Sequence, residues 1–407
     1  MRRIDPSRFR VATQGTSREI NRQIALNLVR AQQPISRADL ARAMGVRRGT
    51  VTVIVNELLE QKLIFEGATA GATVRGRKPT FLYIESRRRC IVAVDIRASQ
   101  TYLMVTDLVG TPLSEVIGIP TEKDPAACVA KVATRIGALI AEQQGIDACE
   151  GIGLVVPGMV EYSTMRVLHA PTLGWRNVSL GEALAAATGV PVHIENSGRA
   201  CALAQLWTMR DEGAAPGDLV YVSVSDGLGV GVVVRGEALR GRHNIAGEFG
   251  HVPLSLDGPR CSCGASGCWE AYVSNRATLA RYFGRAAEGG GPVPVEQQAF
   301  TVHDLIGCAR GGDAKATATL QATARYLGLG LATIVNAIDP ARIYIGGEIT
   351  AAWDLVGDTI RTALAERVLT PSAASTPIRP VSPTEHPRLR GAAALVAAPA
   401  FAAPVVA

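Results

Sequence analysis

The stretch HVPLSLDGPRCSCGASGC at residues 251–268 constrains the fold most, because it holds four soft metal ligands within a short segment. Nine residues separate His251 from Cys261, and Cys263 and Cys268 follow closely. One imidazole and three thiols match a tetrahedral Cys₃His zinc site, which would be closed and therefore structural. A disulfide and unligated thiols are the alternatives. The disulfide is disfavoured in the reducing cytoplasm, where this chain is expected to act for the reasons given below. The stretch thus predicts a bound zinc ion.

Two glutamates flank the predicted metal site. Glu248 lies three residues before His251, and Glu270 lies two residues after Cys268. Metal ligation would fix both carboxylates in place. Together with an amide such as that of Asn196, paired carboxylates suit a sugar, because a sugar is rich in hydroxyl donors. Two ordinary surface glutamates are the alternative.

The charge of the chain is divided unevenly. Residues 1–90 hold 18 Lys and Arg against 7 Asp and Glu, a net charge of +11, whereas the remainder carries −5. A basic first domain on a mildly acidic body indicates nucleic-acid binding by the first part. A basic domain without such a partner is the alternative.

A helix-turn-helix pattern lies inside this basic segment. Apolar residues at helical spacing predict a first helix capped by Ser17, and Ser36–Asp39 resembles a capping box before a short second helix. Gly45 permits a tight turn into a third helix over 47–60. The outward face of that third helix carries Arg47, Arg48, Thr50, Thr52 and Asn56. Such a face suits entry into the major groove of DNA, and an ordinary solvated face is the alternative.

Two predicted strands at 62–66 and 80–84 follow the third helix. The segment that joins them is basic and rich in glycine, and it contains Arg75, Arg77 and Lys78. Two strands with such a tip form a wing, whose cations can contact phosphates or a minor groove. Residues 1–86 are therefore predicted to form a winged helix-turn-helix domain.

The remaining chain alternates strands and helices in two similar series. Strands at 90–95, 101–108 and 111–119 precede a helix over 125–144, and a similar order recurs with a long helix over 314–338. Two related α/β halves that face each other form a cleft, with ligand sites at the strand ends. We expect lobes at 87–205 and 206–407, with the zinc in the second and a C-terminal helix that returns to the first.

The apolar segments are too short or too interrupted to cross a membrane. No run of about 20 apolar residues is free of charge and proline, and MRRIDPSRFR lacks the apolar segment of a signal peptide. A soluble cytoplasmic protein with no membrane partner is the expectation.

The motifs of the body resemble the ROK family, which contains repressors and sugar kinases. The family's signature is matched by GEFGH and by CSCGASGCWE around the predicted zinc site. Shorter matches are VVPGMV at 155–160, LGW at 173–175 and IGG at 345–347. The winged domain places the chain beside the family's transcriptional repressors.

The resemblance implies an α/β fold in which a winged helix-turn-helix precedes a two-lobed actin/hexokinase-like, ribonuclease-H-like body. It also implies sugar contacts at Gly158, Asn196, Glu248, His251 and Glu270. His251 would bind zinc through one ring nitrogen and face the sugar with the other.

Three departures from the family's kinases bear on catalysis. Asp95 is followed by Ile-Arg-Ala-Ser, where the kinases carry x-Gly-Gly-Thr, and the second phosphate loop reads SDGLG at 225–229 instead of containing Gly-Thr-Gly. Ser197 stands where the catalytic aspartate is expected. Loss of a general base costs about 10²–10⁴-fold in rate.

The resemblance therefore implies a repressor that is not an enzyme and that responds to a sugar or sugar phosphate. It would bind an inverted-repeat operator as a homodimer or tetramer, because a palindromic site mirrors a two-fold protein. Two alternatives stay open. One is an active sugar kinase with a DNA-binding appendage, and the other is a body that senses a protein partner.

Overall fold

A computed structural model describes residues 14–68, 80–86, 88–211, 217–285 and 300–401. The predicted wing-tip cations lie outside these ranges; they are Arg75, Arg77 and Lys78.

The N-terminal unit, residues 14–86 as far as described, joins three helices to a small antiparallel sheet. Its helices are α1 (Gln14–Gln32), α2 (Arg37–Met44) and α3 (Arg48–Glu60), and its strands are β1 (Ile35–Ser36), β2 (Ile64–Gly67) and β3 (Phe81–Ile84). The strand order is β1-β3-β2. The hydroxyl of Ser36 accepts a hydrogen bond from the backbone N–H of Asp39, and Gly45 ends α2 with φ of 65°. The predicted helix-turn-helix and the two wing strands are therefore confirmed.

One helix start in this unit was predicted wrongly. Helix α1 already contains Gln14, so Ser17 lies inside the helix and does not cap it. A serine within a helix costs less than about 1 kcal/mol relative to alanine, and this small cost does not force the helix to begin there.

The first lobe is built on a five-stranded mixed sheet with the order β11-β7-β4-β5-β6. Strands β4, β5 and β6 form an antiparallel meander, and β7 and β11 add in parallel beside β4. A small hairpin sheet, β10-β9-β8, and two helices complete the lobe. The strands are β4 (Arg89–Ile96), β5 (Gln100–Asp107), β6 (Ile117–Pro120), β7 (Ala148–Val156), β8 (Met159–Glu161), β9 (Arg166–Ala170), β10 (Trp175–Val178) and β11 (Val192–Asn196), and the helices are α4 (Pro125–Ala141) and α5 (Leu180–Thr188).

The third strand of this sheet is shorter than the predicted 111–119. The carboxylate of Asp107 accepts hydrogen bonds from the backbone N–H groups of Val109 and Thr111, and these bonds hold a tight turn. Just after the turn, Pro112 forms an isolated bridge with Thr106 of β5, and the backbone N–H groups of Leu113 and Ser114 share one acceptor, the carbonyl oxygen of Val105, so no regular ladder forms. The regular strand β6 therefore begins later.

The second lobe repeats the topology of the first. Its sheet order is β14-β13-β12-β15-β16, with an antiparallel meander from β12 to β14 and two parallel additions beside β12. Its strands are β12 (Leu219–Val224), β13 (Leu228–Val234), β14 (Glu237–Ala238), β15 (Ile343–Gly347) and β16 (Ile378–Val381). Its helices are α6 (Ser197–Asp211), α7 (Glu270–Val273), α8 (Asn275–Tyr282), α9 (Val302–Arg310), α10 (Ala314–Ile338), α11 (Trp353–Ala365) and α12 (Pro371–Ala374). The predicted pair of related α/β halves is confirmed.

A late helix, α13 (Pro387–Phe401), crosses back onto the sheet of the first lobe and onto α6. The crossing is close because glycines lie at both contacts. A Cβ on Gly153 of β7 would lie 1.8 Å from the carbonyl oxygen of Ala392, and one on Gly391 would lie 2.2 Å from that of Ala200. No side chain fits there, so the backbones themselves are in contact.

The N-terminal unit shares a hydrophobic core with part of the first lobe and with α6 of the second lobe. That core contains apolar side chains of α1, α2 and α3 together with residues of β4, β5, α6 and α13. At the junction, the guanidinium of Arg30 lies 3.4 Å from the ring centroid of Trp207 and 5.1 Å from that of Phe401. The side-chain amide of Asn27 donates to the carbonyl oxygen of Phe401 at 2.8 Å. The N-terminal unit is thus packed against the body.

Among the described helices, none combines the length and the apolar character that a membrane span requires.

Candidate functional site

The four predicted metal ligands converge. The Nδ1 atom of His251 lies 3.7 Å from the Sγ atom of Cys261, and the Sγ atoms of Cys263 and Cys268 are also 3.7 Å apart. All four ligand atoms lie within 4.8 Å of one another. Ligands about 2.3 Å from a tetrahedral zinc are about 3.8 Å apart, whereas a disulfide needs about 2.0 Å. The donor set and its spacing fit a zinc ion and do not fit a disulfide.

The imidazole of His251 has two different neighbours. Its Nδ1 atom faces the thiol of Cys261, and its Nε2 atom lies 4.0 Å from the carboxylate of Glu248. Burial raises the pKa of Glu248, and the nearby charge of Glu270 adds to the rise, while His251 and Arg199 oppose it. Glu248 is therefore a partly desolvated acceptor beside the four candidate metal ligands.

Glu270 already has protein donors. One carboxylate oxygen accepts from the backbone N–H of Leu228 at 2.8 Å, and the other accepts from the hydroxyl of Ser262 at 3.1 Å. These bonds tie the start of β13 to the cysteine-rich loop. An ionised carboxylate offers about four lone-pair sites, so Glu270 can still accept from a ligand.

Asn196 joins two strand ends in the first lobe. Its Nδ2 atom donates to the carbonyl oxygen of Gly158 at 2.6 Å, and its Oδ1 atom accepts from the backbone N–H of Gly198 at 2.8 Å. Gly158 has φ of +90°, and a Cβ there would lie 2.2 Å from the carbonyl oxygen of His169. Asn196 therefore caps α6 and fixes the turn at Gly158. Neither structural role was expected from the sequence.

A buried ion cluster lies next to these residues, and sequence reasoning missed it. Glu195 is 1% exposed; one oxygen accepts from Arg199 Nε at 2.8 Å, and the other accepts from Arg240 at 2.8 and 3.0 Å. The guanidinium of Arg240 lies 4.6 Å from the ring centroid of Tyr162. The four-residue spacing of Glu195 and Arg199 across a helix start was the available signal, and nothing local indicated Arg240.

Asp95 and Ser197, which lie where the sequence departs from the kinase pattern, are both buried. Asp95 is fully buried, and one of its oxygens accepts from Arg97 Nε at 2.7 Å. A nitrogen of Arg388 at the start of α13 lies 3.9 Å from the other oxygen. Ser197 is 8% exposed at the first position of α6. Arg97 and Ala98 therefore occupy the turn after β4 where the kinase pattern has two glycines, and Arg388 approaches the same carboxylate from α13.

Helix α3 presents the predicted DNA-facing residues to solvent. Its buried side is formed by Val51, Ile54, Val55 and Leu58. The carboxamide oxygen of Asn56 accepts from Arg37 at 3.0 Å, and Arg37 also pairs with Glu66. The exposed side carries all five predicted residues, which are Arg47, Arg48, Thr50, Thr52 and Asn56.

The fold and these sites define a two-lobed α/β protein of the actin/hexokinase-like type, with a winged helix-turn-helix unit at its front. The sequence profile of the ROK family matches residues 91–398, and the chain belongs to that family.

Similar proteins include both regulators and kinases. The xylose repressor of Bacillus subtilis is 28% identical over 361 residues, covering 88% of this chain and 90% of that protein. A crystal structure of a ROK family transcriptional regulator, described as a homologue of the Escherichia coli MLC protein, matches with a TM-score of 0.77 and 27% identity, over 95% of this chain and 97% of that one. The structure of a ROK family glucokinase from Streptomyces griseus with glucose and AMPPNP matches with a TM-score of 0.62 and 28% identity, over 75% of this chain and 98% of that one.

Proposed function

We propose that the protein is a sugar-responsive transcriptional repressor that binds operator DNA through its N-terminal unit and a sugar in the cleft of its body. The observation that carries the proposal is the exposed polar and basic face of α3 on a ROK body. The similarity to the xylose repressor extends over both parts of the chain and supports it. Because the partner is operator DNA, the protein would act in the cytoplasm.

The DNA-binding residues divide by chemistry. Arg47 and Arg48 at the start of α3 reach guanines or phosphates, while Thr50, Thr52 and Asn56 contact base edges. The wing, through Arg75, Arg77 and Lys78, contacts phosphates or the minor groove. Two copies, or a tetramer, bind an inverted repeat. In this proposal the winged domain spans 1–86, and the lobes span 87–205 and 206–407.

The sugar site combines both lobes. Gly158 and Asn196 contribute from the strand ends of the first lobe, and Glu248, His251 and Glu270 contribute from the second. A zinc ion bound by His251, Cys261, Cys263 and Cys268 would fix the loop between Glu248 and Glu270 and so position both carboxylates. The 4.0 Å distance between His251 and Glu248 supports a shared role toward sugar hydroxyls.

The response follows from the packing of the N-terminal unit on the first lobe. A sugar that contacts both lobes favours one relative placement of them, and the two winged units of a dimer then change their separation. Such a shift requires different sugar affinities in the two states. The sugar is expected to weaken operator binding.

A thermal-shift screen of the full chain against xylose, glucose and their phosphates tests the sugar site. A sugar that binds at 100 times its Kd stabilises the folded state by about 2.7 kcal/mol. Glu248→Ala is expected to abolish the shift, because it removes the partly buried acceptor, whereas Glu366→Ala at an exposed ion pair preserves it. The same sugar should raise the Kd for operator DNA. Release from DNA by a protein fraction without any sugar would instead support a protein effector.

The body is further proposed to lack kinase activity. The pairing of Asp95 with Arg97 and the serine at 197 support this. The purified protein with Mg·ATP and glucose or xylose should form no sugar phosphate above background in a coupled assay. Ser197→Asp should also stay inactive, because Arg97 and Ala98 still occupy the first phosphate turn in place of two glycines. Phosphorylation by the unaltered protein would establish a kinase.

A further inference from the structure

Two small apolar residues, Gly49 and Val53, lie on the exposed face of α3. Val53 is 53% exposed, although the other apolar residues of α3 with β-branched side chains are buried. Gly49 lies one helical turn earlier on the same face. A Cβ built on Gly49 has no described atom within 4 Å, and its φ is not in the left-handed region.

Both residues lower the stability of the helix, and packing in the described part of the chain does not offset the loss. Glycine in a helix is less stable than alanine, and a β-branched residue loses side-chain freedom there. Neither space nor backbone conformation requires a glycine at position 49. A surface on which an exposed valine stands beside an open glycine is suited to a partner that approaches the helix backbone closely.

The surroundings indicate the chemistry of that partner. On the exposed side of α3, Arg48, Thr52 and Asn56 lie to one side of the two residues. Glu57, one turn after Val53, lies to the other side and pairs with Arg18 of α1. A cation and hydrogen-bonding groups beside a small apolar patch match the major groove, where thymine alone presents a methyl group among polar base edges. Because the oxygen of Asn56 accepts from Arg37, its Nδ2 hydrogens remain as donors. They suit the O4 atom of a thymine, which lies beside its methyl group.

We propose that Gly49 and Val53 form a thymine seat, in which the valine methyls contact the C5-methyl of one thymine in each half-site. The missing side chain of Gly49 lets the helix backbone approach the same base edge. The thymine seat rests on the proposed operator binding, and it adds the identity of the base that α3 reads.

Deoxyuridine substitution tests the thymine seat, because it removes only the methyl group. Duplexes are first selected from a random library with the full chain, and each thymine of the selected half-site is then replaced in turn. Kd is measured by fluorescence anisotropy at one salt concentration. At one position the replacement should weaken binding of the unaltered protein about fourfold, the factor expected for burial of one methyl group. That effect should disappear in Val53→Ala and shrink in Val53→Thr, which keeps the shape of the side chain.

Gly49→Ala separates binding from stability. The new methyl group should weaken DNA binding at least tenfold while the Tm stays level or rises. Gly137→Ala is the matched control, because Gly137 is another exposed helical glycine with no described atom within 4 Å of its Cβ. It should leave the Kd for DNA unchanged.

Three results would overturn the thymine seat. One is an equal deoxyuridine effect in the unaltered protein and in Val53→Ala, and another is an unchanged Kd for Gly49→Ala. The third is a selection that enriches no duplex, which would refute the proposed operator binding as well. The first two leave operator binding intact, so the two failures are distinguishable.

Discussion

Replacing Glu195 by alanine is expected to lower the free energy of unfolding by about 3–5 kcal/mol. The side chain of Arg199 is 2% exposed and would be left as a buried cation without its carboxylate. Arg240, at 32% exposure, can turn to solvent and contributes less. Urea unfolding followed by circular dichroism measures the loss.

Two variants show whether burial is the cause. Glu366→Ala breaks an ion pair with Arg325 in which both side chains are exposed, and the expected loss is below about 1 kcal/mol. The loss of unfolding free energy in Arg240→Ala should lie between those of Glu195→Ala and Glu366→Ala, because Glu195 keeps Arg199 as its partner. Equal losses for Glu195→Ala and Glu366→Ala would contradict the assignment of Glu195 as the centre of a buried cluster.

Removal of one thiol of the metal cluster is expected to abolish metal binding. The unaltered protein should hold about one zinc per chain by metal analysis, and Cys268→Ala should hold close to none. Cys268 is 1% exposed, and metal ligation in structural sites is coupled to folding, so the loss of stability should reach several kcal/mol. The sugar-induced thermal shift should be lost as well, because Glu248 and Glu270 lie on either side of the cysteine-rich loop.

Cys308→Ser provides the matched control. Cys308 is a half-buried thiol in α9 that does not belong to the four-residue cluster. Its zinc content should equal that of the unaltered protein. If Cys268→Ala retains a full equivalent of zinc, the four residues do not form the metal site.

The parts of the structure that are determined by residues close together in the sequence were predictable. The long helix Ala314–Ile338 agrees with its prediction, and Asp313 caps its start. The convergence of the His251–Cys268 ligands likewise follows from their spacing. Prediction was weaker where a few side-chain hydrogen bonds determine the path of the backbone, as at the turn held by Asp107.

The relations between distant segments were not predictable. Glu195 and Arg240 are 45 positions apart and meet only because the two lobes fold against each other. The capping role of Asn196 also required the position of Gly158, which lies on a different strand end. The residues predicted for the outward face of α3 are exposed, but nothing in the sequence singled out Val53, because a pattern of buried residues does not show what a surface binds.

The packing of α13 on the N-terminal unit has a consequence for protein synthesis. Asn27 and Phe401 are 374 positions apart, yet they are hydrogen-bonded within the core that supports the helix-turn-helix. Domains made early on the ribosome generally fold before the rest of the chain appears. Here the earliest segment lacks part of its core until residues 387–401 have emerged. A chain whose translation stops before that point would lack the contacts of Phe401, so its helix-turn-helix is expected to be less stable than that of the full-length chain.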